Sequence, residues 1–315
     1  MAHGDATVIG TDRLEGATVA QVLALADAVA AADGVAALSE QTLLDLRSPV
    51  RPVRHLLVGD PTAQAGAVPA GYAQVDAEGA SAELAVHPEH RGRGVGRALL
   101  DAVRAHAPGV AVWAHGDLPG ARALAAAAGM ERVRELLQMA VDLPEWRRGR
   151  AGASGGGSAG PAGSPAAATS PAPDVRTFRV GADEEAWVRL NARAFADHPE
   201  QGRMSVADLR AREAEDWFDP TLLWLVPAAD SRDLLASMWV KAVPGEDSGE
   251  IYALGVDPAA QGRGLGSALT VRALDEMSRR GLRRATLYVE GDNTAARRTY
   301  EKQGFRCVAT DVQYR

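Results

Sequence analysis

The run Gly249-Glu-Ile-Tyr-Ala-Leu-Gly-Val-Asp-Pro-Ala-Ala-Gln261-Gly-Arg-Gly-Leu-Gly266 decides the fold of the chain. Its first eight residues predict a strand over 249–256, and period-two alternation places Glu250 on one face with Tyr252, Leu254 and Val256. A proline-containing spacer and a glycine-rich turn follow, and the turn opens an amphipathic helix expected over 264–280. Glycine admits backbone conformations closed to other residues and lets the chain come close to a ligand. The first helical turn adds unpaired N–H groups and the positive end of the helix dipole, so the turn is suited to hold phosphate oxygens. A dinucleotide fingerprint has its first glycine directly after the strand and an acidic residue about 20 positions later. Here the spacer Val256-Asp-Pro-Ala-Ala260 intervenes, and no Gly-Lys-Ser/Thr follows to make a P-loop.

A second copy of the pattern lies 170 residues earlier. Shifted by that amount, Leu84, Val86, Pro88, Gly92, Arg93, Gly94, Gly96, Ala98 and Leu99 meet identical residues, nine matches in the sixteen positions from 84 to 99. So dense a match in one order implies duplication. The order of elements agrees. The first half predicts helices over 17–31 and 39–47, strands over 54–59, 71–76 and 80–86, a helix from 94, a strand at 110–114, a helix at 119–128 and a strand at 132–142. The second half predicts helices over 183–196 and 205–214, strands over 221–226, 233–243 and 249–256, then the helix at 264–280, a strand at 284–290, a helix at 293–302 and a last strand. Between the halves, residues 149–173 are almost entirely Gly, Ala, Ser and Pro, with little to bury against the entropy of ordering. The expectation is two domains, 1–148 and 175–315, joined by a flexible linker over 149–174.

The 315 residues carry a net charge of −7, which argues against general affinity for nucleic acid. No run of roughly 20 apolar residues is apparent, and the N-terminus lacks a secretory pattern, so no membrane partner is expected. The single Cys307, read as a buried strand residue after Phe305, permits no internal disulfide and fits a reducing cytoplasm. A monomer is expected.

The pattern Gln/Arg-x-x-Gly-x-Gly after a strand resembles the acetyl-CoA loop of the GNAT superfamily of N-acetyltransferases. Both copies fit it, through Arg91, Gly94, Gly96 and Gln261, Gly264, Gly266. The resemblance implies an α+β fold: two tandem domains, each a mostly antiparallel central sheet flanked by helices. It implies acetyl-CoA contacts at Leu84, Ala85, Val86, Gly92, Arg93, Gly94, Val95, Gly96 and Arg97 in the first copy. In the second they fall at Leu254, Gly255, Val256, Gln261, Gly262, Arg263, Gly264, Leu265, Gly266 and Ser267. Asn293-Thr-Ala-Ala-Arg-Arg-Thr-Tyr300 is similar to the second GNAT signature, implying cofactor contacts at Asn293, Thr294, Ala295, Ala296, Arg297 and Arg298 and a general acid at Tyr300. Glu250 resembles the family's strand glutamate, a general base. The first copy has Ala125 where Tyr300 would be, no counterpart of Asn293, and Ala80 opposite Glu250. The chemistry is therefore expected in the second copy, and His115 is read as structural.

Over both domains the chain further resembles the mycothiol-forming branch of the superfamily, which acetylates the cysteinyl amine of cysteinyl-glucosaminyl-inositol. The stretches that carry this are Ser39-Glu-Gln41, His198-Pro-Glu-Gln-Gly202, Asp216-Trp-Phe-Asp-Pro220, Trp239-Val-Lys241 and Leu287-Tyr-Val-Glu290. That resemblance implies that Glu40, Glu200, Lys241, Glu250 and Tyr288 contact the pseudo-disaccharide, with acetyl-CoA as donor and no metal. Another small-amine or peptide acetyltransferase and a non-catalytic acyl-CoA-binding regulator are the alternatives.

Overall fold

The computed structural model describes residues 7–47, 52–59, 68–76, 80–155, 174–196, 198, 201–229 and 233–315. These divide into two units, one drawn from 1–137 together with 309–315, the other from 138–308.

In the first unit, strand β1 (Val8–Thr11) precedes helices α1 (Gly16–Asp33) and α2 (Glu40–Arg47), strands β2 (Arg54–Val58), β3 (Gly71–Val75) and β4 (Ser81–Val86), helix α3 (Val95–His106), strand β5 (Ala111–Ala114) and helix α4 (Pro119–Ala127). Strands β1 to β4 pair antiparallel in sequence order, and β4 pairs parallel with β5. One face packs Leu56, Ala73, Val75 and Ala82 against Val95, Leu99, Leu100 and Val103 of α3. The other packs Leu57, Tyr72 and Ala85 against Val22, Leu25 and Val29 of α1. Helix α1 has a mean hydropathy of 1.3 over 18 residues, so one helix among the described residues is long and apolar enough to cross a membrane. Its buried face nevertheless belongs to this core.

The second unit contains the end of β6 (Arg132–Asp142), α5 (Leu143–Gly155), β7 (Arg176–Thr177), α6 (Glu184–Ala194), α7 (Val206–Glu213), β8 (Leu223–Pro227), β9 (Leu234–Ala242), β10 (Ser248–Val256), α8 (Leu265–Arg279), β11 (Arg284–Glu290), α9 (Thr294–Glu301) and the start of β12 (Arg306–Tyr314). The strands run in the order β6-β11-β10-β9-β8-β7, with β10 and β11 parallel and β8, β9 and β10 antiparallel. Its aromatic core gathers Trp187, Trp217 and Trp239 with Leu190, Leu209, Leu223 and Leu225.

Three sequence expectations are corrected. The linker does not begin at 149, because α5 continues to Gly155; its start is secured by the buried Leu143 and by Asp142, whose carboxylate accepts from Glu145 N–H at 2.8 Å. The expected linker beyond 155 lies outside the described residues up to 173. The last residues belong with the first unit, where Val312, Gln313 and Tyr314 pair antiparallel with Ala114, Trp113 and Val112 of β5. A strand edge takes whichever backbone supplies its hydrogen bonds, irrespective of distance in sequence. Cys307 is exposed, since Phe305 takes the core position and the strand leaves the core directly after it.

Candidate functional site

The two glycine turns have the same backbone. Each follows a single 3-10 turn, Pro88–His90 or Pro258–Ala260. His87 and Asp257 open these turns at φ/ψ of −52/133 and −52/131, and Arg91 and Gln261 close them at −68/155 and −63/157. Asp257 accepts from Ala259 N–H at 2.9 Å and pairs with Arg193 at 2.7 Å, which holds its carboxyl below the usual range. Gly94 and Gly264 cap α3 and α8 in the left-handed region, with φ of 87 and 77, a conformation costly to any residue with a Cβ. A Cβ built on Gly262 or Gly264 meets nothing within 4 Å, so the face of the turn is open. The first bond of α8 is Ala268 N–H to Gly264 C=O at 3.0 Å, which places the N–H groups of Leu265, Gly266 and Ser267 ahead of any helical acceptor. The donors, the dipole and the open surface suit a diphosphate. In the first unit Arg91 is clamped by Asp33 through two bonds of 2.7 and 2.8 Å, whereas Gln261 makes no side-chain hydrogen bond among the described residues.

Strand β10 supplies both the carboxylate and the gap beside it. Its parallel pairing with β11 runs from Ser248↔Arg284 to Ile251↔Leu287 and stops, while β10 continues to Val256. Backbone groups past Ile251 on that side therefore have no ladder partner in β11. The first unit repeats the divergence, with β4 and β5 paired only from Ser81↔Ala111 to Glu83↔Trp113.

The structure corrects the expected facing of β10. Pairing with β9 shifts between Ile251 and Ala253, so Tyr252 is an extra, bulged residue. Glu250 is opposite Lys241 and Ala253 opposite Trp239, which puts Glu250 on the face of Ala253 and Gly255. A Cβ on Gly255 would meet Ala194 and Phe195, which identifies that face as the α6 side. Leu254 and Val256 lie on the opposite face, within 4 Å of a Cβ built on Gly266 in α8. An inserted residue inverts every later facing, and nothing in the alternation of 249–256 signals it. The bulge also moves the counterpart of Glu250. Ala82↔Val75 corresponds to Ile251↔Val240, so Ser81, and not Ala80, stands where Glu250 stands.

On the α6 face the Lys241 ammonium lies over Trp217 at 4.8 Å and over Tyr252 at 5.7 Å, and Arg212 donates to the Tyr252 hydroxyl at 2.7 Å. Thr286 of β11 is the partner of Glu250, and Tyr288, two residues on, shares that face. Tyr288 is 44% exposed and its hydroxyl accepts from Gln138 at 3.2 Å. Glu250, Lys241 and Tyr288 thus share one unit and one sheet face. Glu40 opens α2 in the first unit, and Glu200 lies outside the described residues.

Helix α9 begins at Asn293, whose side chain accepts from Ala296 N–H at 3.0 Å as an N-cap. Tyr300 is 7% exposed, edge-on to Phe305, and burial raises its phenol above the ordinary range. It therefore stays protonated at neutral pH and able to donate. The first-unit counterparts of Tyr300 and Asn293 are as expected from sequence. Met130 N–H bonds Ala125 C=O as Phe305 N–H bonds Tyr300 C=O, so Ala125 occupies the position of Tyr300. Helix α4 enters through Leu118 and Pro119 with no side-chain cap.

His115, read as structural from the sequence, lies in a charge cluster. In the first unit its Nδ1 is 3.1 Å from Asp311, and its Nε2 is 3.6 Å from Glu83. Glu83 accepts from Ser39 N–H at 2.7 Å and Asp311 from Gly116 N–H at 2.7 Å. Burial alone would lower the His115 pKa, but the two carboxylates outweigh it and push it up to about 10. Asp311 lies 196 residues downstream, so no local pattern could have found the pair.

Two glycine turns on diverging parallel strands, one with a carboxylate beside it and a buried tyrosine on the following helix, define a pair of GNAT domains. The acetyltransferase (GNAT) family model matches residues 186–305, and the acetyltransferase (GNAT) domain model matches 57–130. The tandem GNAT protein of the clavulanic acid pathway superposes with a TM-score of 0.66 at 19% identity, over 98% of this chain and 97% of the other. A GCN5-related N-acetyltransferase from Sphaerobacter thermophilus gives 0.60 at 24%, over 98% and 94%. Both likenesses concern the fold. The chain is 52% identical over 314 residues to mycothiol acetyltransferase of Beutenbergia cavernae, covering 98% of each, and 46% identical over 319 residues to that of Thermobifida fusca, covering 98% and 97%. It is an N-acetyltransferase and belongs to the mycothiol acetyltransferase family.

Proposed function

We propose that the second unit transfers the acetyl group of acetyl-CoA to the cysteinyl amine of cysteinyl-glucosaminyl-inositol, completing mycothiol. The observation that carries this is the end of β10–β11 pairing at Ile251↔Leu287, one residue past Glu250, on the strand that leads into the glycine turn. The turn holds the diphosphate, with Asn293 and the first turn of α9 along the pantetheine arm. The unpaired edge of Leu254 to Val256 receives the thioester oxygen as it gains charge. Glu250 accepts the proton of the amine, directly or through water, as nitrogen bonds to the acetyl carbon. An α-amino group has a pKa of about 7.7–8.0, so a modest base suffices. Tyr300 donates to the departing thiolate. Lys241 and Tyr288, on the sheet face of Glu250, line the acceptor side. The first unit keeps an acetyl-CoA turn without the side chains for chemistry. The protein acts as a monomer in the cytoplasm.

The test is steady-state acetyl transfer to cysteinyl-glucosaminyl-inositol beside free cysteine and cysteinyl peptides. A kcat/KM at least about a hundredfold higher for the pseudo-disaccharide is expected. Equal turnover of simple peptides would overturn the acceptor assignment, and absence of all transfer would leave an acyl-CoA-binding regulator.

A further inference from the structure

A line of polar contacts in the second unit links the segment after α6 to the turn that opens α9. Asn191, a buried residue of α6, exchanges hydrogen bonds with Gln201: its Nδ2 donates to the Gln201 carbonyl, and its Oδ1 accepts from Gln201 Nε2 at 3.1 Å. Gln201 N–H donates to His198 Nδ1 at 3.0 Å. With Nδ1 accepting, the neutral ring carries its proton on Nε2, and that atom lies 3.3 Å from Glu290 Oε1. The ring packs edge-on to Phe195 at 6.1 Å, which fixes its plane. Glu290 is the last residue of β11, and its carbonyl accepts from Asn293 N–H at 3.1 Å. Asn293 in turn caps α9, the helix that carries Tyr300.

The line thus runs from α6 through Gln201, His198 and Glu290 into the α9 cap. Both ends of the His198–Glu290 contact are substantially withdrawn from solvent, with 24% and 19% of the side chains exposed. A histidine–carboxylate contact in that setting is stronger than one at an open surface. Glu290 also shares the β11 face of Thr286 and Tyr288, hence the face of Glu250.

We propose that His198 and Glu290 are positioning residues for acetyl transfer. Their contact is a latch that sets the β11–α9 turn, and with it the Asn293 cap and the Tyr300 helix, relative to the end of β10. Neither side chain exchanges a proton with substrate. The inference rests on the placement of acetyl transfer in the second unit, so its principal readout is acetyl-CoA binding, which needs no acceptor.

The experiment measures acetyl-CoA affinity by calorimetry, together with Tm, for wild type, His198→Ala, Glu290→Gln, the double variant and His198→Gln. Each of the first two is expected to weaken acetyl-CoA by about tenfold, the lower end for a hydrogen bond to a charged group. The double variant should be no weaker than the poorer single, because one contact is lost in all three. His198→Gln, which can still donate to Glu290, should recover most of the affinity. Steady-state kinetics should then show a larger rise in KM for acetyl-CoA than fall in kcat. Losses that multiply in the double variant, or a lower Tm with unchanged acetyl-CoA affinity, would overturn the latch. Should the acceptor assignment fail, calorimetry still reads the latch.

Discussion

His115 Nδ1 lies 3.1 Å from a carboxylate oxygen of Asp311, which joins the end of β5 to the final strand of the first unit across 196 residues of sequence. The pair and its neighbour Glu83 make a charge cluster whose stability has a sign. The folded pKa of His115, about 10, exceeds the unfolded value of 6.5, so its stabilisation is complete below pH 6.5 and is lost as pH rises through about 10. The loss is on the order of 3–5 kcal/mol over that window. Glu83 is held below its usual range: burial alone would raise it, but His115 and Ser39 outweigh that, so its contribution fades only in acid. Calorimetric unfolding of wild type and His115→Gln from pH 6 to 10 is expected to show a falling Tm for wild type and a flatter, lower curve for the variant. Parallel curves would rule the cluster out as the source.

His55 gives the opposite limb. Burial pushes it down to about 4, and its Nδ1 lies 2.8 Å from the Tyr72 hydroxyl, which donates to Gln74 Oε1 at 2.9 Å, while Gln74 Nε2 donates to Asp45 at 3.1 Å. The unfolded chain binds the proton from pH 6.5 downward and the folded one does not until about 4, so stability falls through that window as pH drops. His55→Gln is expected to remove that part of the acid sensitivity, seen as a smaller fall in the chemical denaturation midpoint between pH 6.5 and 4.5. A midpoint that falls as steeply as in wild type would assign acid sensitivity elsewhere.

The twin glycine turns predict two bound acetyl-CoA molecules per chain. Gly264→Ala and Gly94→Ala each force a left-handed residue to carry a Cβ, which costs about 1 kcal/mol even though the space is open. Native mass spectrometry should count two equivalents for wild type and, at limiting cofactor, a reduced second equivalent for either variant. A single equivalent in wild type that Gly94→Ala leaves untouched would mean the clamped Arg91 turn holds none.

Much of this was legible in the residues because it is local. The turn glycines, the order of strands and helices, and Ala125 at the place of Tyr300 are set by short-range periodicity and by the repeat. Three things were not legible. The bulge at Tyr252 leaves no mark in a strand that already alternates, yet it turns Glu250 toward the α6 face and makes Ser81 its counterpart. The return of residues 309–315 to the first unit is a pairing choice made at long range. The third is the partnership of side chains far apart in sequence, such as Arg91 with Asp33, and Lys241 with the rings of Trp217 and Tyr252.

The claim on which the rest depends is that acetyl transfer takes place where β10 leaves β11, with Glu250 taking the proton and Tyr300 giving one. The most direct measurement is single-turnover acetyl transfer by Glu250→Gln and Tyr300→Phe at saturating acetyl-CoA and acceptor. Each rate should fall on the order of a hundredfold or more, with acetyl-CoA affinity within a few-fold of wild type. Rates near wild type in both variants would contradict the account and move the chemistry to another part of the chain.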